Sequence, residues 1–178
     1  FFLLHPSFFP SSLPFLLPLF PLPSSIILIM DKQQHHATHF YPIYSLYIIN
    51  KAGGLIYQSD FSKDAPKLTM NDHLRLGSTF HGLYAITANL KPTTQTSTGI
   101  EVLESDGFRL HGYQTPTGIK FYLTGHPQRE DLDQLIHKIY VYYSDYVLKN
   151  PFYELEQPIH CQQFDVVLES LLKGPTGR

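Results

Sequence analysis

The hydrophobic pattern becomes regular at residue 43. Residues 43–49, IYSLYII, and 55–58, LIYQ, are β-branched and aromatic runs that predict two strands. Asn50, Lys51, Ala52, Gly53 and Gly54 between them supply hairpin-turn chemistry. The glycine pair is not a phosphate loop, because no GK[ST] follows and no helix begins there. Thr69 opens a helix, with Asp72 completing a capping-box variant. Leu76, Phe80, Leu83, Tyr84, Thr87 and Leu90 share one helical face, which suits packing on a sheet. A second face, Leu74, Ser78, His81, Ala85 and Ala88, is small or weakly polar, and only Asp72 and Arg75 carry full charge between Asn71 and Leu90. Exposed helix faces usually carry Lys and Glu, so this one is expected to meet a partner subunit. Cover by the chain's own C-terminal segment is the alternative.

Residues 91–98, KPTTQTST, read as a loop. Three strands follow, at 99–103, 108–114 and 119–123, with tight turns at Asp106-Gly107 and at 115–118. Phe108, Leu110, Ile119, Phe121 and Leu123 alternate as a half-buried antiparallel sheet requires. The strand at 99–103 has one sequence neighbour to pair with and is expected at a sheet edge, where another chain can dock. A helix over about 130–149 buries Leu132, Leu135, Ile136, Ile139, Tyr140, Tyr143 and Val147, and Asn150-Pro151 stops it. The linker that follows carries Phe152, Tyr153, Leu155, Pro158 and Ile159, too apolar for a free loop, and is expected to lie against the domain. A last helix, about Cys161 to Leu172, ends at Lys173-Gly174-Pro175. The order predicts an α+β fold: a five-stranded antiparallel sheet with helices packed against it, in a longin-like or profilin-like layout.

Length and composition narrow the picture. The 178 residues, 43% of them hydrophobic, suffice for one domain with a substantial core. A net charge of -2 without a basic stripe argues against nucleic acid. A single cysteine, Cys161, excludes an internal disulfide and fits a reducing compartment. Residues 1–29 carry no Lys, Arg, Asp or Glu and are long enough to span a bilayer, but Pro6, Pro10, Pro14, Pro18, Pro21 and Pro23 would break such a helix. They are read as translated upstream sequence outside the fold, with Met30 as the expected start. Residues 30–42 read as a polar, His-rich leader, 43–173 as the domain and 174–178 as a tail.

The search for chemistry is largely negative. No Walker loop, GxGxxG, HExxH, GxSxG or paired-cysteine motif occurs, and no catalytic residue, cofactor site or metal site is expected. His35, His36 and His39 lie on a leader that lacks an orienting shell for metal ligands. Ser105 and Asp106 sit in one turn, which does not suit a triad with His111, and His160 beside Cys161 does not make a nucleophile pair.

Four collinear segments resemble the sybindin family of core subunits of the TRAPP vesicle-tethering complex: IYSLYIINKAGGLIYQ at 43–58, LTMNDHLRLGSTFHGLYAI at 68–86, STGIEVLESDGFRLHGYQTPTGIKF at 97–121 and IYVYYSDYVLKNPFYELEQPIHCQQFD at 139–165. The resemblance implies a longin-like fold and a hetero-oligomeric place among other small TRAPP core subunits. It also implies participation in nucleotide exchange on a Rab-type GTPase of endoplasmic reticulum to Golgi traffic. The chain would be cytoplasmic, with peripheral membrane association through the complex. Some animal members resemble a form with a PDZ-like insertion after the first hairpin; here Leu68 follows Gln58 by ten positions. Gln157 and His160 stand where Met and Arg are expected in many relatives. Leu74, Ser78, His81, Ala85, Ile100 and Val102 are the candidate subunit-interface residues. Tyr142, Asp145, Asn150, Phe152, Tyr153, His160 and Asp165 are the candidate GTPase or partner contacts. Two other classes stay open: a SNARE-type longin module, for which no coiled-coil heptad run is present in these residues, and a small enzyme on a profilin-like scaffold.

Overall fold

The computed structural model describes residues 41–90 and 99–173. The readings of residues 1–40, of the loop 91–98 and of the Gly174-Pro175 stop and tail therefore lie outside the described residues. Strands β1 (Ile43–Ile49), β2 (Leu55–Asp60), β3 (Val102–Glu104), β4 (Arg109–Gln114) and β5 (Lys120–Gly125) form one antiparallel sheet in the order β2-β1-β5-β4-β3. Helix α1 (Met70–Asn89) packs on β1 and β2. Helix α2 (Leu132–Tyr142) packs on β4 and β5, and α3 (Gln162–Leu172) packs on α2 and its continuation. This is the five-stranded, longin-like layout that the element order predicts, with β3 at an edge.

Two cores lie on opposite sheet faces. Leu46, Ile48, Phe121 and Leu123 join Ile136, Ile139 and Phe164 on the α2–α3 side, while Tyr47, Ile49, Tyr122 and Leu110 join Phe80 and Tyr84 on the α1 side. The half-buried alternation expected of the sheet is therefore corrected for its centre: β1 and most of β5 are buried on both parities and covered on both faces. Buried strands read as continuous apolar runs for this reason.

Helix α1 starts as expected, with Thr69 and Asp72 forming a reciprocal capping box. Its buried stripe differs. His73, Gly77, Phe80 and Tyr84 face the sheet, whereas Leu76, Leu83 and Leu90 are exposed. The helix is turned by one residue: Gly77 faces Leu55 and Ile49, and His73 Nδ1 bonds the Tyr47 hydroxyl at 2.9 Å on the same side. Close approach of the helix to the sheet requires glycine at Gly112 on β4, since a Cβ there would lie 2.9 Å from the Phe80 ring. The C-terminal helix α3 lies on the opposite sheet face, so it does not cover the small-residue face of α1.

The helix expected over 130–149 is regular only to Tyr142. Tyr143–Leu148 continue it as a π-helix, a widened turn that often marks functional sites and that has no composition signal. Tyr143 and Val147 remain buried through it. The linker is only partly clamped. Ile159 is buried and its N–H donates to the Ile56 carbonyl at 2.8 Å, but Phe152 is 92% and Leu155 69% exposed.

Candidate docking faces

The six expected interface residues separate onto two sides of the sheet. Leu76, Thr79 and Leu83 of α1 border an apolar cavity of about 490 Å³ whose far wall is Ile100, Leu103 and Phe108, beside the β3 edge that has no strand partner among the described residues. Ile100 lines this cavity, and Val102, 42% exposed, lies on that edge. Leu74 instead lines a groove on the β2 side, and His81 packs on Gly53 of the β1–β2 turn, with Ser78 and Ala85 exposed between and beyond them. The α1 candidates and the Ile100–Val102 candidates thus lie toward opposite sheet edges. Helical spacing alone could not show this, because it fixes which residues share a face and not which sheet edge that face overlooks.

The C-terminal candidates divide as well. Asn150, Phe152, Tyr153 and His160 line one cleft of about 330 Å³ with Glu154, Gln157 and Cys161. Asp165 lies next door on α3, where it accepts the Tyr57 hydroxyl at 2.7 Å. Burial, followed by that bond, pushes the Tyr57 phenol well above its ordinary range. Tyr142 packs against Tyr146, and Asp145 pairs with Lys149 at 2.5 Å; neither lines the cleft. Cys161 is half-buried, and its thiol donates to the Tyr146 carbonyl at 3.6 Å.

A polar group that sequence reasoning left unassembled joins α2 to β4. His111 Nε2 and His137 Nδ1 each lie 3.3 Å from Asp133 Oδ1, and Tyr113 packs on the His137 ring. His111 therefore pairs with Asp133, while Ser105 and Asp106 remain exposed around the β3–β4 turn. Burial holds His111 below its ordinary pKa; Asp133 and Glu101 oppose the shift, while His137 and Arg109 add to it. Burial and then Lys120 lower His81 too. For both groups the unfolded chain binds more protons below about pH 6.5, so stability is present above that pH and is lost as the pH falls through the folded-state values. Urea midpoints should therefore decrease between pH 7.5 and 5.5, and His111→Gln should flatten that decrease. An equal slope in the variant would remove His111 from the effect.

Together these features give a doubly covered sheet whose edge strands β2 and β3 have no further strand partner among the described residues, an apolar cavity beside β3 and an aromatic cleft beyond α2. Among the described residues no helix is long and apolar enough to cross a membrane. The chain belongs to the Sybindin-like family, whose model matches residues 43–174. It is 54% identical over 130 residues to trafficking protein particle complex subunit 4 of Dictyostelium discoideum, covering 73% of this chain and 96% of that one. The human subunit 4 is 53% identical over 108 residues, 61% of this chain, which spans only about half (49%) of its length. Subunit 1 of the same complex from Dictyostelium discoideum is 32% identical over 136 residues, covering 74% of this chain and 94% of that one.

Proposed function

We propose that this chain is a core subunit of a TRAPP-type tethering complex in endoplasmic reticulum to Golgi transport. In this reading it acts as a scaffold for guanine-nucleotide exchange on a Rab-type GTPase. It works in the cytoplasm, held at Golgi and endoplasmic reticulum membranes through the assembly. The observation that carries the reading is the edge of β3, without a second strand partner among the described residues, beside an apolar cavity bordered by exposed Leu76 and Leu83, on a chain whose relatives are named as subunits of one complex. An unpaired strand next to an apolar groove supplies both main-chain bonds and buried area to a neighbour. Exchange requires no acid or base from this subunit. An assembly that binds the nucleotide-free GTPase more tightly than the nucleotide-bound form promotes release by that difference.

Val102 and Ile100 are assigned to one neighbouring subunit, and Leu74, Ser78, His81 and Ala85 to contacts on the opposite side. The Asn150–Tyr153 and His160 cleft, with Tyr142, Asp145 and Asp165 around it, is assigned to the GTPase or a further partner. The test is co-expression of the tagged chain with the other small TRAPP-type subunits, followed by purification and nucleotide-release assays. Wild type should recover the assembly and accelerate release, and the isolated chain should not. Val102→Asp and Ala85→Glu, at exposed positions, should lose partners while the monomer's stability stays within about 0.5 kcal/mol. Unchanged recovery would overturn the assignment of those faces.

A further inference from the structure

The opposite sheet edge carries a second docking surface of a different chemistry. The N–H of Phe61 donates to the Tyr44 carbonyl at 2.9 Å, which fixes the phase of the β1–β2 ladder: Tyr57 and Ser59 turn their backbone groups toward β1. Ile56, Gln58 and Asp60 then turn theirs outward, because successive residues alternate. Ile159 N–H already bonds the outward Ile56 carbonyl at 2.8 Å, so one rung of an added strand is present. The backbone groups of Gln58 and Asp60 continue that edge without a main-chain partner among the described residues.

A groove of about 980 Å³ runs along this edge. One wall is apolar, Met70 at 68% and Leu74 at 46% exposure on the first turns of α1. The other is acidic, Asp165 and Glu169 on the exposed side of α3, and no Lys or Arg lines the groove. Asp165 uses Oδ1 for Tyr57, which leaves Oδ2 available; Glu169 pairs with Lys173 at 3.0 Å in an exposed contact that costs little to exchange. A strand laid on β2 would point alternate side chains at the two walls. We infer that the β2 edge binds an extended segment of a partner protein in which basic and aliphatic residues alternate. Its main chain would pair with Gln58 and Asp60, its aliphatic side chains would meet Met70 and Leu74, and its basic ones would meet Asp165 and Glu169. This surface is distinct from the β3 face, and its test does not require the assembly proposed above.

The probe is a fluorophore-labelled heptapeptide of alternating lysine and valine, titrated into the full chain at low salt with anisotropy as readout. Saturable binding is expected. It should weaken about tenfold or more when glutamate replaces lysine, when proline stands at the peptide's centre, and in Glu169→Lys and Asp165→Asn variants of the chain. Asp165→Asn keeps an acceptor for Tyr57, so its loss of binding would not be a folding effect. Hydrogen exchange should show new protection at the Gln58 and Asp60 amides. No saturable binding, equal binding of the glutamate or proline peptide, or protection confined to residues away from β2 would each overturn the inference.

Discussion

Phe164→Ala is expected to lower the unfolding free energy by about 3–5 kcal/mol, the cost of deleting a buried ring and leaving its cavity. Phe164 is fully buried and meets Tyr57 at 5.2 Å and Tyr143 at 6.5 Å between centroids, both edge-on. It therefore joins α3 to β2 and to the π-turn at once. Leu168 and Leu172, also buried, extend the same stripe at i+4 and i+8, so the whole of α3 depends on this contact line. Domains of this kind have about 5–15 kcal/mol in total, so the substitution removes a large fraction of it. Val166, 63% exposed two residues on, is the internal control, and Val166→Ala should stay within about 0.5 kcal/mol. Urea unfolding with linear extrapolation reads both. A loss below about 1 kcal/mol for Phe164→Ala would mean that α3 is not integral to the core.

What the sequence revealed depended on whether the signal was local. The Asn50–Gly54 turn, the Thr69–Asp72 capping box and the buried stripe of α2 are set by short spacings, and the structure contains all three. The facing of α1 was not legible, because its buried positions include His73 and Gly77, which a hydrophobic pattern passes over. Gly77 is buried where it meets Leu55 and Ile49, and His73 because Tyr47 gives it a hydrogen-bond partner. The division of the expected interface into two sides required the strand order, a non-local fact. Likewise, the Ile159–Ile56 rung and the His111–Asp133–His137 group join residues far apart in sequence. The exposure of Phe152 defied the composition argument, since apolar content alone does not say which side chains of a linker pack inward: Ile159 is buried and Tyr153 half-buried, but Phe152 is not.

Phe152→Asp is accordingly expected to leave the fold unchanged and to weaken partner association about 30-fold or more, the effect of losing an aromatic hot spot of about 2 kcal/mol. Few monomer contacts are at stake, because the side chain is 92% exposed. The backbone around it is nevertheless held. Asn150 Oδ1 accepts the Phe152 N–H at 3.1 Å, and Tyr153 donates its hydroxyl to the Gln157 carbonyl at 3.1 Å. Further along, Glu156 occupies the left-handed region at φ 71, a conformation that costs about 1–2 kcal/mol for a residue with a Cβ. Its carbonyl accepts from Asn50 at 3.3 Å and its carboxylate pairs with Lys51 at 3.0 Å, which ties the linker to the β1–β2 turn. An exposed ring on a fixed backbone loses little freedom when a partner covers it, so more of its buried area contributes to affinity. Calorimetry or anisotropy on the purified assembly with the Rab-type GTPase proposed above reads the association, and urea unfolding of the isolated chain reads the fold. Unchanged affinity would remove Phe152 from any docking role, whereas a destabilised monomer would place the ring in the core after all.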